Sequence, residues 1–354
     1  MPNTPRQLVF LLHGMGEHSK GWSKKGVDYL TKGAKTLKFD YTVGADREVE
    51  FIELTYGRFF DDYLKDYENH AEALSKLPVG VINGLPDFSK AIVKAAKTSP
   101  NQDNMLVTHW GDVALYALAL IGPQIRDWIK LQIEETLLQR GYPEWSVIAH
   151  SLGARVIHDT LDEWFTANPN AYMVPGKPNL LLMIGNVIAL MSRDRDVMWR
   201  DTLVYPHTDM KRGACFKYVN VDHPMDPFTW VRSFDPMPEW GDGAASTGSF
   251  FEPVLKSSHL TCWNPHAFGH YCRNPLTQAA FFRHVMGERL FSPIDEEQLP
   301  KAMEKYRKAT IEGGYLNLKD QFEDLKLGDI RELKKFVETL KAYFEVLESF
   351  DEDC

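Results

Sequence analysis

Ser151 stands in the run VIAHSLGARVI, between an apolar segment and a stretch of helical period, with Ala149 and Gly153 two residues to either side. A strand passes directly into a helix only through a very tight turn, and small residues must occupy the places where backbone would otherwise collide. The residue at the apex of such a turn is strained and thrusts its side chain out above the sheet. That geometry would present the Ser151 hydroxyl as a nucleophile. The plainer alternative for the same residues is an ordinary strand-to-helix turn with a helix-capping serine.

A serine hydroxyl is a poor nucleophile alone, so the turn means something only beside a histidine, a carboxylate and donors for a negative oxygen. The donors are the nearest to hand. The apolar run QLVFLL leads into HGMGEH, where the backbone N–H of Met15 would pair with that of Leu152 to hold the oxyanion of a tetrahedral intermediate, with Gly14 and Gly16 letting the backbone come close. A phosphate-cradling G-x-G-x-x-G loop would need a third glycine where Ser19 stands, so no nucleotide is expected.

The acid and the base follow in chain order. After CFKYVNV comes DHPMDPF, which offers Asp226 and, behind it, Asp222; Asp226 is preferred because Asp-Pro fixes a turn just beyond a strand. Downstream, WNPHAFGHYCRNPLTQAAFFRHV contains His266, His270 and His284. The base belongs on a loop ahead of the last helix of the sheet domain, and Pro275 reads as the first turn of that helix. His270, five residues before it, is therefore the first choice, His266 the alternate, and His284 falls inside the helix. Cys262, His266, His270 and Cys272 also form C-x3-H-x3-H-x-C, but this is not one of the usual structural zinc spacings, and no metal is expected.

The elements that must position these groups are legible as short apolar runs separated by patterns of helical period. QLVFLL (7–12), EVEFIEL (48–54), WSVIA (145–149), LLLMIG (180–185) and CFKYVNV (215–221) are apolar on both faces, as strands of a parallel sheet covered by helices must be. The fold class is α/β, a mostly parallel sheet flanked by helices. DVALYALALIGPQIRDWIKLQIEETLLQRG reads as one long helix or two, broken at Gly122-Pro123. Residues 56–104, with Phe59, Phe60, Tyr63 and Tyr67 and then Phe88, Ile92 and Ala95 on one helical face, either pack on the core or cap a pocket. Residues 191–240, rich in Met and Trp, either line an adaptable cavity or fill the core.

Past residue 290 the register changes. Asp329 and Glu332 have the form of a capping box, and Ile330, Leu333, Val337, Leu340, Phe344 and Leu347 make an apolar helical stripe. The stripe must be covered, by the chain's own domain or by a second copy in a homo-oligomer. The expected division is a domain over 1–290 followed by a helical extension over 291–354.

Composition narrows the partners. The 354 residues are 44% hydrophobic and 25% charged, with a net charge of −9 and no Lys/Arg cluster, which argues against nucleic acid. The apolar run Leu8–Leu12 is too short for a signal segment or a span, so no integral membrane segment is expected. Four cysteines without a secretory signal suit a reducing, cytoplasmic setting.

Taken together, VFLLHGMG, WGDVALYA, VIAHSLGARVI, VNVDHPMDPF and a His-Tyr pair ahead of an aromatic-rich helix resemble the α/β-hydrolase superfamily, and within it the lipase-like branch that includes DDHD-type intracellular phospholipases. The resemblance covers much of residues 7–290 in scattered blocks. It implies the α/β-hydrolase fold, with Ser151 as nucleophile, Asp226 as orienting acid, His270 as base, and Met15 and Leu152 as oxyanion donors. The activity implied is hydrolysis of a small-molecule or lipid carboxylic ester through an acyl-enzyme, without a cofactor. A thioesterase would use the same groups. A binding or scaffold protein that keeps the fold without turnover is the rival from another class, favoured by His270 directly preceding Tyr271 where the branch spaces histidine and tyrosine three apart.

Overall fold

The computed structural model describes residues 7–14, 18–38, 49–60, 62, 121–191, 202–229, 234–236, 240, 245–246, 248–260, 264–285 and 294–306. Each of the five apolar runs forms a strand: β1 (Gln7–Leu12), β2 (Val49–Leu54), β3 (Trp145–His150), β4 (Leu180–Ile184) and β5 (Lys217–Val221). A sixth, β6 (Phe250–Phe251), is only two residues long and carries no pattern that a sequence could show. The order is β2-β1-β3-β4-β5-β6, and every pairing is parallel.

The sheet is covered on both faces, which is why its central strands are apolar at successive positions rather than alternate ones. β1, β3 and β4 are buried at every residue. Leu8, Phe10, Leu12, Val147 and Ala149 face one core, where α2 (Gly122–Gln139) and α3 (Leu152–Ala167) pack. Val9, Leu11, Ile148, Leu182 and Val219 face the other, against α1 (Lys24–Thr36), α5 (Phe268–Arg273), α6 (Pro275–Val285) and Ala302 of α7 (Ile294–Tyr306). A single-turn helix, α4 (Ile188–Met191), follows β4. In α2 the proline sits in the first turn, where its missing N–H costs nothing, and Ile125, Ile129, Ile133 and Leu137 are buried at a spacing of four.

Among the described residues no helix is long and apolar enough to cross a membrane. Of the segments with two readings, Tyr56 and Phe60 are core residues, while 63–104 lie outside the described residues. Trp240 fills the core beside Tyr218, Phe234 and Phe250, and Met210 is exposed; Met198, Trp199 and Trp230 are not among the described positions. The apolar stripe over 330–347 is likewise outside them.

The strand order places one topological switch in the sheet. From β1 the chain moves to β2 on one side, then returns to lay β3 on the other, so the loops leaving β1 and β3 diverge and leave a crevice at their carboxyl ends. His13 and Gly14 follow β1 there, and Ser151 follows β3. α3 starts against the end of β1. A Cβ on Gly153 would lie 2.4 Å from the His13 carbonyl oxygen and 3.0 Å from Leu12 Cβ. Gly→Ala inside a helix ordinarily gains about 1 kcal/mol, but here overlap with backbone outweighs it. Gly153→Ala should lower stability by about 1–3 kcal/mol in urea unfolding, and an unchanged or raised midpoint would show that α3 does not approach β1 this closely.

Candidate functional site

Ser151 sits at the apex between β3 and α3 with φ 54° and ψ −123°. That region is one L side chains rarely adopt, at a cost of about 1–3 kcal/mol. The conformation is imposed from both sides. The Ser151 N–H donates to the Ile184 carbonyl of β4 (2.9 Å), its own carbonyl accepts from the Ala154 N–H (3.0 Å), and Gly14 presses from β1 so closely that a Cβ there would be 2.8 Å from Ser151 Cβ. Ser151 occupies the N-cap position of α3, but its side chain makes no capping hydrogen bond, and Ala149 is fully buried where a small residue was required.

The histidine that meets this serine is His266. Its Nε2 lies 2.8 Å from Ser151 Oγ, and its Nδ1 donates to Asp226 Oδ2 at 2.6 Å. A carboxylate only accepts, so the proton on the ring belongs to Nδ1 and Nε2 is left to receive the serine O–H. Asn264 delivers His266 by an Asx turn, its side-chain oxygen accepting the His266 N–H (3.0 Å). The Phe228 ring packs on the imidazole at 4.2 Å between centroids. On the other side His150, the residue before the serine, donates from Nε2 to the His266 carbonyl at 2.6 Å. Burial, and then the neighbouring His266, hold His150 well below the usual histidine range, so it serves as a neutral donor.

Asp226 is fully buried. The segment His223-Pro224-Met225-Asp226-Pro227 curls tightly after β5: His223 Nδ1 accepts the Met225 N–H (3.1 Å), the Asp226 N–H donates to the His223 carbonyl (2.8 Å), and Pro227 opens a 3-10 turn. Both carboxylate oxygens are then engaged. Oδ1 accepts the Phe228 N–H at 3.0 Å, and Oδ2 accepts Tyr271 Oη–H at 2.6 Å in addition to His266. Gly185, at φ 54°, makes room for this contact, since a Cβ there would be 3.1 Å from both Asp226 Oδ2 and the His266 ring.

Ser151 and Asp226 therefore meet as the sequence suggests, but through His266 and not through the first-choice His270. The reason is local. A short helix, α5, intervenes before α6, so His270 lies within it rather than on a loop, and the loop residue ahead of it is His266. Both ring nitrogens of His270 are buried and make no hydrogen bond among the described residues; burial lowers its pKa to about 4, against the pull of Asp226. The alternate acid, Asp222, accepts from the Asn186 N–H (3.0 Å) and Asn220 Nδ2 (2.9 Å), and among the described residues it is not hydrogen-bonded to a histidine. His284 lies within α6, as read from sequence.

Leu152 opens α3, so its N–H is among the free donors of a helix first turn and points toward the carboxyl end of the sheet. Met15, its intended companion, lies outside the described residues, as does Cys262 of the zinc-like spacing. Among the described residues no group of three or more His, Cys, Asp or Glu side chains is arranged to hold a metal ion. Two contributors escaped the sequence: Tyr271, although it follows His270, and His150, although it precedes the serine.

Compared with protein-family models, with curated proteins and with solved structures, the chain matches none of them. The strain at Ser151 makes one direct expectation: Ser151→Gly should be more stable than Ser151→Ala by about 1 kcal/mol or more, because glycine alone adopts this backbone freely. Equal thermal midpoints would mean that the turn is relaxed.

Proposed function

We propose that this chain is a serine hydrolase of the α/β-hydrolase type that cleaves carboxylic esters through an acyl-enzyme on Ser151. The observation that carries the proposal is the unbroken relay from Ser151 Oγ through His266 to Asp226 at 2.8 and 2.6 Å, mounted on a strained turn at the switch point of a parallel sheet. A serine with only a structural task would not need the strain.

In the reaction, His266 Nε2 takes the hydroxyl proton as Ser151 Oγ attacks the ester carbonyl. Asp226 keeps Nδ1 protonated and stabilises the imidazolium that forms. The negative oxygen of the tetrahedral intermediate turns toward the Leu152 N–H at the positive end of α3, with the Met15 N–H assigned as second donor from the sequence. Collapse of the intermediate breaks the bond to the alkoxide, which leaves with the proton from His266. A water molecule then repeats the sequence on the acyl-enzyme and regenerates Ser151. No step calls for a cofactor, and a thioester would be cleaved by the same steps.

The test is turnover of p-nitrophenyl butyrate and of a short acyl thioester. Ser151→Ala and His266→Ala should each lower kcat by about three orders of magnitude or more, as for loss of a triad member, while His270→Gln should stay within about tenfold of wild type. A wild-type protein inert toward both substrates would favour a binding or scaffold role, and a collapse confined to His270→Gln would return the base to that residue.

A further inference from the structure

Tyr271 donates a hydrogen bond to the carboxylate of the relay, a contact that the proposed chemistry does not require. It is fully buried on α5, and burial, with Asp226 adding to it, raises its pKa well above the usual tyrosine range, so the phenol is a permanent donor. It donates to Asp226 Oδ2 at 2.6 Å, the same oxygen that His266 Nδ1 uses, while its own oxygen accepts the His223 N–H at 3.1 Å. The His223 N–H thus fixes the phenol, and the phenol reaches the carboxylate from a helix that begins two residues after His266.

We propose that Tyr271 is a positioning residue that sets both the orientation of Asp226 and the share of its charge felt by His266, and thereby the pH at which the proposed hydrolase becomes active. Two donors on one carboxylate oxygen divide its negative charge, so each is held less strongly than it would be alone. With the phenol present, the imidazolium is stabilised less and releases its proton more readily, which suits a base that must be neutral before each turnover. Together with the Phe228 N–H on Oδ1, the phenol also prevents the carboxylate from rotating away from His266.

The direction of the effect is fixed by this arrangement. Tyr271→Phe keeps the ring and removes the donor, so the full charge of Oδ2 falls on His266 and the acidic limb of kcat/KM moves to higher pH. Replacing Tyr271 with 3-fluorotyrosine makes the phenol a stronger donor and moves the limb the other way. Among the described residues, the other ionisable groups that face the pair are His150 from β3, His223 and Asp222 from the segment after β5, and His270 from α5. Burial holds the three histidines below the usual histidine range. Asp222 is pushed up to about 7, chiefly by desolvation, and is removed from consideration by repeating the comparison in Asp222→Asn.

The proposal rests on the hydrolase assignment, and its test separates the two. In Tyr271→Phe the limb should move up by about half to one pH unit, kcat at its plateau should fall about threefold to tenfold, and KM should hold. The downfield proton NMR signal of the His266 Nδ1–H, which needs no turnover, should shift in Tyr271→Phe and shift oppositely in the fluorotyrosine protein. If the enzyme proves inert but the signal behaves in this way, the hydrolase assignment fails and the role of Tyr271 stands. A limb and a signal both unmoved in folded Tyr271→Phe, with only stability reduced, would overturn the proposal and leave Tyr271 a packing residue.

Discussion

The structure depends on the forced turn at Ser151. β3 must end and α3 must begin within one residue, because β1 and its following Gly14 stand on one side and the end of β4 on the other. Only a positive φ closes that gap, and a residue other than glycine accepts it at a cost of about 1–3 kcal/mol. The surrounding cores supply the restraint: strands buried on both faces cannot slide or relax without exposing their apolar side chains. The small residues Ala149 and Gly153 are consequences of the same squeeze.

The turn fixes where everything else can stand. Once Oγ points above the carboxyl ends of the strands, the histidine that meets it must come from a loop that reaches the same level, and the carboxylate behind that histidine from the loop after a neighbouring strand. Asn264 and the tight curl at His223–Pro227 perform these placements by side chains that accept from backbone N–H groups, so His266 and Asp226 arrive already oriented. Burial then sharpens the electrostatics. Asp226 is fully removed from solvent, and its hydrogen bonds to His266, Tyr271 and the Phe228 N–H replace the water it has lost. The neutral histidines around it, His150 among them, contribute donors and bulk without adding a competing charge.

How much of this the sequence displays follows from the range of the forces involved. The five long strands are visible because burial on both faces leaves continuous apolar runs, and the turn is visible because crowding demands small residues at fixed offsets. Asp226 is visible because Asp-Pro marks the turn locally. β6 is invisible because two residues carry no period. That His266 rather than His270 meets Ser151 is not legible, because the distinction depends on a six-residue helix, α5, whose pattern merges with that of α6; Asn264-Pro265, an Asx-turn signal just ahead of His266, is the one local cue that separates them. Tyr271 and His150 were missed for a different reason. Their contacts join residues more than 40 positions apart, and nothing in the local pattern of either announces a partner.

The central claim is that Ser151 is an activated nucleophile and that His266 activates it. Labelling with a fluorophosphonate, followed by mapping of the modified peptide, tests both parts at once. The account predicts an adduct on Ser151 in the wild-type protein that disappears in His266→Ala and persists in His270→Gln. It is contradicted if the folded wild-type protein remains unmodified where a known serine esterase is labelled, or if the adduct survives loss of His266 and vanishes with loss of His270.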